Sequence, residues 1–106
     1  MKLAHDDKWR VSISGEVDWS SKRELCSLAD LLSTFGAPVD FDLSQVSFMD
    51  RAGWAAVCAA AEIVRGTGAR ARIVNPSPEV KRLTDLAMTA GDRAGLTRAV
   101  RFAPAA

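Results

Sequence analysis

The sequence predicts one small α/β domain in which strands and helices alternate along the chain. Its 106 residues fit a single domain spanning residues 1–106, and 48% of them are hydrophobic and 25% charged, as is usual for a chain with its own buried core. Stretches with a period of two alternate with stretches of helical period. This order predicts a sheet that is parallel in its centre, with right-handed crossovers between strands.

Strands are predicted where apolar and polar residues alternate. Three segments show this pattern, the first two most clearly: residues 9–14, 39–44 and 70–74. Weaker patterns indicate short strands near the two ends of the chain, around Leu3 and around Val100 and Phe102. We expect Gly15 to end the first clear strand, with a loop through Trp19 following it.

The first predicted helix begins at Ser21, because Ser21 and Glu24 have the spacing of a capping box. Its apolar positions recur at helical spacing: Leu25, Leu28, Ala29, Leu32 and Phe35. We expect Gly36 to close this helix, since glycine readily adopts the left-handed conformation that follows a helix C-terminus.

The second predicted helix, from about Ala52 to Arg65, is apolar on nearly every side, which is typical of a helix buried on more than one face. Asp50 is a suitable N-cap for it. The third predicted helix begins at Pro78, with Ser77 as its N-cap.

The charge balance and the hydropathy argue against several classes of partner. The chain carries 14 Lys and Arg against 13 Asp and Glu, and this net charge of +1 gives no general attraction to nucleic acid or anionic lipid. The longest apolar run, residues 54–61, is far shorter than the ~20 residues that cross a bilayer, and residues 1–10 lack the apolar core of a signal peptide. We therefore expect a cytoplasmic protein with neither nucleic-acid binding nor membrane insertion.

No constellation of catalytic residues stands out in the sequence. The chain has a single histidine, His5, and lacks a Ser-His-Asp set, an HExxH motif and a Gly-rich phosphate loop. Asp40 and Asp42 share one face of a predicted strand, but a polar edge is a simpler explanation than a metal site because no third ligand lies nearby. We therefore expect neither an enzyme nor a bound cofactor or metal.

Cys26 and Cys58 are the two cysteines of the chain, and both fall on predicted helices. Two buried, reduced thiols are the simplest interpretation. A redox-linked pair is the alternative, because two packed helices can bring such residues together.

The segment from Ser47 to Trp54 carries large apolar residues around a predicted helix start. Phe48, Met49 and Trp54 lie where complete burial is difficult, so they either form an exposed contact surface or turn inward to the core. The sequence pattern alone favours neither alternative.

Three segments, in the right order, resemble the STAS family, the domain of anti-sigma factor antagonists. Residues 15–18, Gly-Glu-Val-Asp, resemble the family's Gly-Glu-Leu-Asp after an early strand. Residues 41–50 resemble the strand and loop that lead to the family's Asp-Ser-Ser-Gly motif, and residues 77–83 resemble the start of its last helix. The likeness covers about residues 9–91.

This resemblance implies both a fold and a function. The implied fold is a four- to five-stranded mixed sheet with about three to four helices packed mainly on one face. Members of the family bind an anti-sigma factor kinase and so turn on sigma-factor-dependent transcription, and the kinase breaks the complex by phosphorylating the first Ser after the Asp. A phosphate adds about −1.5 to −2 charges, enough to disrupt a close-fitting apolar interface.

The chain departs from the family at this motif, which here reads Asp50-Arg51-Ala52-Gly53. Neither Arg51 nor Ala52 accepts a phosphate from a serine kinase, so the usual switch position has no phosphoacceptor. Arg51 is also a cation in the first turn of a helix. This costs about 0.3–1 kcal/mol unless Arg51 pairs with Asp18 or Asp50, or extends into water.

The sequence therefore predicts a non-catalytic regulator that docks to an anti-sigma factor or serine-kinase-like partner. The predicted docking residues are Asp18, Trp19, Phe48, Met49, Asp50, Arg51, Ala52, Gly53 and Trp54. The alternative is an accessory subunit that binds the ATPase of a lipid-transporting ABC transporter, since the resemblance implies that some STAS domains do so. The sequence leaves a homodimer open.

Overall fold

The computed structural model describes residues 2–5, 8–89 and 102–103 of the chain. The strands are β1 (Lys2–His5), β2 (Trp9–Val17), β3 (Val39–Met49), β4 (Ala71–Val74) and β5 (Phe102–Ala103). The helices are α1 (Lys22–Ser33), α2 (Arg51–Arg65) and α3 (Pro78–Thr89), and a 3₁₀ turn, Trp19–Ser21, precedes α1. Val100, where the sequence predicts part of the last strand, lies outside the described residues.

Strands β2, β3 and β4 form the parallel centre of the sheet. Val11 pairs with Phe41, and Phe41 pairs with Ile73, so these residues form a row across the three strands. Strand β1 lies antiparallel on the other side of β2, and the two-residue strand β5 lies parallel beside β4. The described residues thus confirm the predicted α/β class, with three helices and three parallel strands at its centre.

One hydrophobic cluster fills the space between the sheet and the helices. The row of Val11, Phe41 and Ile73 is fully buried in it. All three helices add side chains to the same cluster, among them Leu25, Ala29 and Leu32 from α1, Trp54, Val57, Ala60, Ala61 and Val64 from α2, and Val80 from α3. The helices therefore pack on the face of the sheet to which this row points.

The opposite face of the sheet carries a buried carboxylate held by two cations. Asp40 is only 1% exposed, and Arg72 on the neighbouring strand donates a hydrogen bond of 2.9 Å to each of its carboxylate oxygens. Lys8 adds an ion pair of 2.8 Å. Asp42, also buried, accepts a hydrogen bond from the Asn75 amide at 3.0 Å. The two aspartates are thus bonded within the domain, and the polar edge predicted for them is wrong.

Strand β2 is longer than the sequence predicts. Gly15 has a φ of 79°, a conformation that suits glycine, but the strand continues through it to Val17. The pairing with β3 shifts register between Gly15 and Glu16, as it does at a β-bulge. Gly15 therefore marks an irregularity inside the strand and does not end it.

Helix α1 also differs from its prediction at both ends. Ser21 makes no side-chain cap for α1, so the capping box predicted for Ser21 and Glu24 is wrong, and Asp18 caps the preceding 3₁₀ turn instead. Phe35 lies beyond the helix and is 60% exposed. It packs against Trp9, with 5.6 Å between the ring centroids, rather than joining the buried stripe of α1.

Candidate functional site

The C-terminal ends of β2 and β3 lie side by side and carry most of the predicted site. Val17 pairs with Met49 at the end of the parallel ladder, so Asp18 and Asp50 follow adjacent strand ends. Asp18 leads into the 3₁₀ turn before α1, and Asp50 leads into α2. The sheet therefore brings the two loops that the sequence singles out to one end of the domain.

Asp18 organises the turn before α1. Its Oδ1 accepts hydrogen bonds from the Ser20 hydroxyl and from the Ser20 backbone N–H, the latter at 2.9 Å. The backbone N–H of Asp18 in turn donates to Ser21 Oγ at 3.3 Å. The hydroxyl of Ser20, and then its N–H, lower the pKa of the Asp18 carboxyl. Asp18 is therefore ionised at neutral pH, and its bonds hold the turn that presents Trp19.

Asp50 is the N-cap of α2, as the sequence predicts. Its backbone is extended, and its Oδ1 accepts the N–H of Gly53 at 2.8 Å. Its own N–H donates to the carbonyl oxygen of Val17 at 3.4 Å. The bonds of Asp50 therefore both start the helix and tie that start to the end of β2.

Gly53 is the residue at which α2 touches β2. A Cβ on Gly53 would overlap the carbonyl group of Val17 and lie 3.1 Å from the backbone nitrogen of Asp18. These are backbone atoms, which cannot rotate away as a side chain can. The close approach gives a physical reason for glycine in the last place of the motif at residues 50–53.

Trp19 and Phe48 present aromatic surface at this end of the sheet. Trp19 is 76% exposed and Phe48 is 49% exposed. Exposed aromatic side chains are frequent anchors of protein–protein interfaces. Both residues are therefore candidates for the exposed apolar contact that the sequence predicts near the loops.

Met49 and Trp54 do not contribute to that surface. They are 6% and 1% exposed and belong to the core cluster, so an exposed contact role for their side chains is wrong. Trp54 turns inward because it shares one face of α2 with Val57 and Ala61, which are also buried.

Exposed charged residues open the two helices that follow these strand ends. Arg51 and Ala52 open α2 and are exposed, and α2 packs against the 3₁₀ turn of Trp19. Lys22 and Arg23 are exposed at positions three and four residues after Trp19, the spacing that brings side chains to one face of a helix. Glu24, which follows them, is exposed as well, so the charge near this turn is of both signs. We call Trp19, Phe48, Lys22, Arg23 and Arg51 the Trp19 surface, a set of exposed residues near the ends of β2 and β3.

Cys26 and Cys58 are both half-buried thiols. Burial raises the pKa of Cys58 to about 11, so this thiol is protonated at neutral pH and is a poor nucleophile. The redox-linked pair stays a prediction, and the chemistry of Cys58 favours the inert alternative.

Within residues 2–5, 8–89 and 102–103, no group of three or more His, Cys, Asp or Glu side chains is placed to hold a metal ion. Across those same residues, no helix combines the length and the apolar character that crossing a bilayer needs.

Comparison with known proteins assigns the family. A family model described as "Mlab, STAS domain" matches residues 2–96. The chain belongs to the STAS domain family. The segment that resembles the STAS switch motif, residues 50–53, thus lies at the N-terminus of α2 and packs on the strand end that carries Gly-Glu-Val-Asp, residues 15–18.

Solved structures of similar proteins share this STAS fold. The chain is similar to the anti-sigma factor antagonist SpoIIAA in its unphosphorylated form, with 19% identity and a TM-score of 0.60 over 88% of this chain and 96% of that chain. It is also similar to the Bacillus cell fate determinant SpoIIAA in the phosphorylated form, with 19% identity and a TM-score of 0.63 over 96% of this chain and 89% of that chain. Among curated proteins, none matches the sequence.

Three residues beside these loops, Ser20, Lys22 and Arg23, are not among those that the sequence predicts for docking. The predicted loop ends at Trp19, and the STAS motifs do not include the turn that follows it. The available signal was the Asp two residues before Ser20, a spacing typical of an aspartate that bonds the turn following it.

Proposed function

We propose that this STAS domain is a non-catalytic regulator that docks its Trp19 surface onto a protein partner. The proposed partner is an anti-sigma factor of the serine-kinase-like type, which gives the chain a role in sigma-factor-dependent transcription. The observation that carries the proposal is the exposure of two aromatic side chains, Trp19 at 76% just after the end of β2 and Phe48 at 49% near the end of β3.

The geometry of the Trp19 surface suits docking for two physical reasons. The Asp18 cap holds the turn of Trp19 in place, so less conformational freedom is lost when a partner covers the ring. Truncating a tryptophan at the centre of an interface commonly costs about 2 kcal/mol or more. The exposed Lys22 and Arg23 can pair with acidic residues of a partner, since complementary charge speeds association and selects partners.

The similar proteins support an anti-sigma factor as the partner. Arg51 supports a different control of docking, one that does not use phosphorylation at residues 50–53. One of the similar structures is that of an anti-sigma factor antagonist. In this chain the motif at residues 50–53 offers no hydroxyl, so phosphorylation at that motif does not release the partner. Docking is therefore constitutive, or it is controlled at another residue.

A second candidate is an accessory subunit that binds the ATPase of a lipid-transporting ABC transporter. The replacement of the phosphoacceptor by Arg51 favours it, because a permanently assembled subunit needs no release by phosphorylation. The same Trp19 surface would make the contact.

Affinity capture of the full chain from its native cells, followed by mass spectrometry, tests both candidates. The baits are the wild type, Trp19→Asp and, as a matched control, Leu31→Asp, since Leu31 is 56% exposed on α1 but lies outside the Trp19 surface. We expect the wild type and Leu31→Asp to retain a serine-kinase-like anti-sigma factor and Trp19→Asp to lose it. Retention of a transporter ATPase by the wild type and Leu31→Asp, but not by Trp19→Asp, would favour the second candidate. If all three baits retain the same partner equally, docking through the Trp19 surface is rejected.

A further inference from the structure

Strand β2 extends beyond the strand that pairs with its outer edge. β1 pairs with β2 only from Trp9 to Ser12, whereas β2 continues to Val17. Among the residues that the structure describes, no strand pairs with residues 13–17 on that side. Residues 14–16 are all exposed, and a Cβ added to Gly15 would meet no atom within 4 Å. A strand edge that is open in this way can form main-chain hydrogen bonds with another chain.

A groove lies between this part of β2 and the start of α1. Its apolar lining comes from Ile13, Val17 and Leu25, which are buried, and its charged lining comes from Glu16 and Glu24, which are exposed. The groove has a volume of about 110 Å³. Because one water molecule takes about 30 Å³ of the liquid, the groove has room for a side chain of a segment that lies along β2.

The charges of the groove indicate which side chain it accepts. Glu16 and Glu24 line it, and within the described part of the chain no Lys or Arg does so. Lys22 and Arg23 are exposed at neighbouring positions of α1 but do not belong to the lining. A cationic side chain in the groove therefore lies beside two carboxylates, and complementary charge of this kind selects partners.

We propose that the open edge of β2 at residues 13–17 binds an extended segment of a partner protein, with a Lys or Arg side chain of that segment in the groove beside Glu16 and Glu24. Main-chain hydrogen bonds along the edge supply affinity, and the groove supplies selectivity for the cationic side chain. The site shares no residue with the Trp19 surface. It goes beyond the proposed function and does not rest on it.

The far edge of β3 does not offer the same opening. β4 pairs with β3 only as far as Asp42, which leaves the rest of β3 without a strand on that side among the described residues. However, α3 packs against β3, and the N–H of Ser77 donates to the carbonyl oxygen of Leu43 at 3.2 Å. The edge of β3 is therefore partly occupied from within the domain, and β2 is the better site for an added strand.

Selection from a phage-displayed library of random heptapeptides tests the chemistry of the groove. The baits are the full chain as wild type, the double variant Glu16→Gln with Glu24→Gln and, as a matched control, Asp30→Asn, since Asp30 is exposed on α1 but does not line the groove. We expect the wild type and the control to enrich peptides that carry Lys or Arg among β-branched residues. Enrichment of peptides without a basic residue, or no enrichment, overturns the proposal.

Affinities of the selected peptides, made synthetically, locate the charge that they recognise. We expect the double variant at Glu16 and Glu24 to bind about fivefold more weakly than the wild type, because each exposed carboxylate contributes a modest attraction. Trp19→Asp should bind the peptides as tightly as the wild type, since Trp19 does not line the groove. Unchanged binding by the double variant, or weaker binding by Trp19→Asp, contradicts the proposed site. Loss of Trp19 docking alone leaves this result unaffected.

Amide hydrogen exchange of the full chain tests strand addition itself. A saturating selected peptide should slow exchange within residues 14–16 by about tenfold, because amides at a newly paired edge become protected, and should leave residues 81–84 of α3 unchanged. Exchange at residues 14–16 that the peptide does not alter overturns the proposal. If these amides are already protected in the free chain, and size-exclusion chromatography shows a dimer, a second copy of the chain occupies the edge and the proposed partner is wrong.

Discussion

Gly53 at the start of α2 lies directly against the backbone carbonyl of Val17 at the end of β2, with no room for a side chain between them. The hydrogen bond from the N–H of Asp50 to the same carbonyl reinforces this contact. The loops that begin at Asp18 and Asp50 are therefore held together through the backbone. The turn of Trp19 and helix α2, which begins at Arg51, consequently pack against each other.

Gly53→Ala should destabilise the domain by about 1–3 kcal/mol, because the added methyl group meets backbone atoms and overpacking of this kind is costly. Urea or thermal unfolding measures the effect. Gly66→Ala is the matched control at the other end of α2: its φ is −61°, and the nearest atoms to an added Cβ are at 3.4 and 3.5 Å. Equal loss of stability in both variants would contradict the close approach of Gly53.

Trp54→Asp should unfold the protein rather than weaken docking alone. The side chain is 1% exposed in the core cluster, and burying a carboxylate there costs more than about 4 kcal/mol, a large part of the stability of a small domain. Far-UV circular dichroism measures the loss of structure. Ala55→Asp, at the next and exposed position of α2, is the control and should keep the native spectrum. A native spectrum for Trp54→Asp would place Trp54 outside the core.

Acid should remove the stability that Asp40 contributes. Burial by itself raises the pKa of the Asp40 carboxyl, but the hydrogen bonds from Arg72 and Lys8 outweigh burial and leave the pKa lowered. The unfolded chain, with an ordinary pKa of about 3.9, then binds this proton more tightly than the folded chain. The contribution is therefore complete above about pH 5 and is lost as the pH falls through the folded pKa.

Asp40→Asn tests this contribution through urea unfolding measured from pH 7 down to acid. We expect the variant to lose about 1–3 kcal/mol at pH 7, because Arg72 and Lys8 lose a buried, charged acceptor. Its stability should also fall less steeply than that of the wild type between pH 5 and pH 2. Parallel pH profiles for the two proteins would show that Asp40 does not contribute in this way.

Cys58 should react slowly with iodoacetamide in the folded protein. With its pKa raised to about 11 by burial, the thiolate is scarcer by about a hundredfold than in an unfolded chain, and only the thiolate reacts. Peptide mapping of the labelled chain at pH 8, with and without urea, compares the two rates at Cys58. Equal rates, or a disulfide to Cys26 under mild oxidation, would favour the redox-linked pair instead.

The central strands and the starts of α2 and α3 are predictable because they depend on local patterns. The alternation at residues 9–14 and 39–44 reports which face of each strand is buried, and both segments lie within β2 and β3. The N-caps follow from single side chains. The sequence predicts Ser77 as the N-cap of the third helix, and its Oγ accepts the N–H of Val80 at 3.3 Å.

The inward orientation of Trp54 was not predictable from its own helix. Apolar residues cover nearly every side of α2, so no polar face indicates how the helix is rotated. The contact of Gly53 with Val17 sets that rotation, and this contact joins residues distant in sequence. The capping box predicted at Ser21 is wrong for a local reason: Asp18, three residues earlier, caps the 3₁₀ turn, and its backbone N–H donates to Ser21 Oγ.

The affinity of the captured partner, purified, for the wild type, Trp19→Asp and Leu31→Asp tests the central claim most directly. We expect Trp19→Asp to weaken binding by about thirtyfold or more, the equivalent of losing an interface anchor worth about 2 kcal/mol, with an unchanged far-UV spectrum. Leu31→Asp should bind within about twofold of the wild type, since surface changes away from an interface have small effects. Binding by Trp19→Asp as tight as that of the wild type would contradict docking through the Trp19 surface.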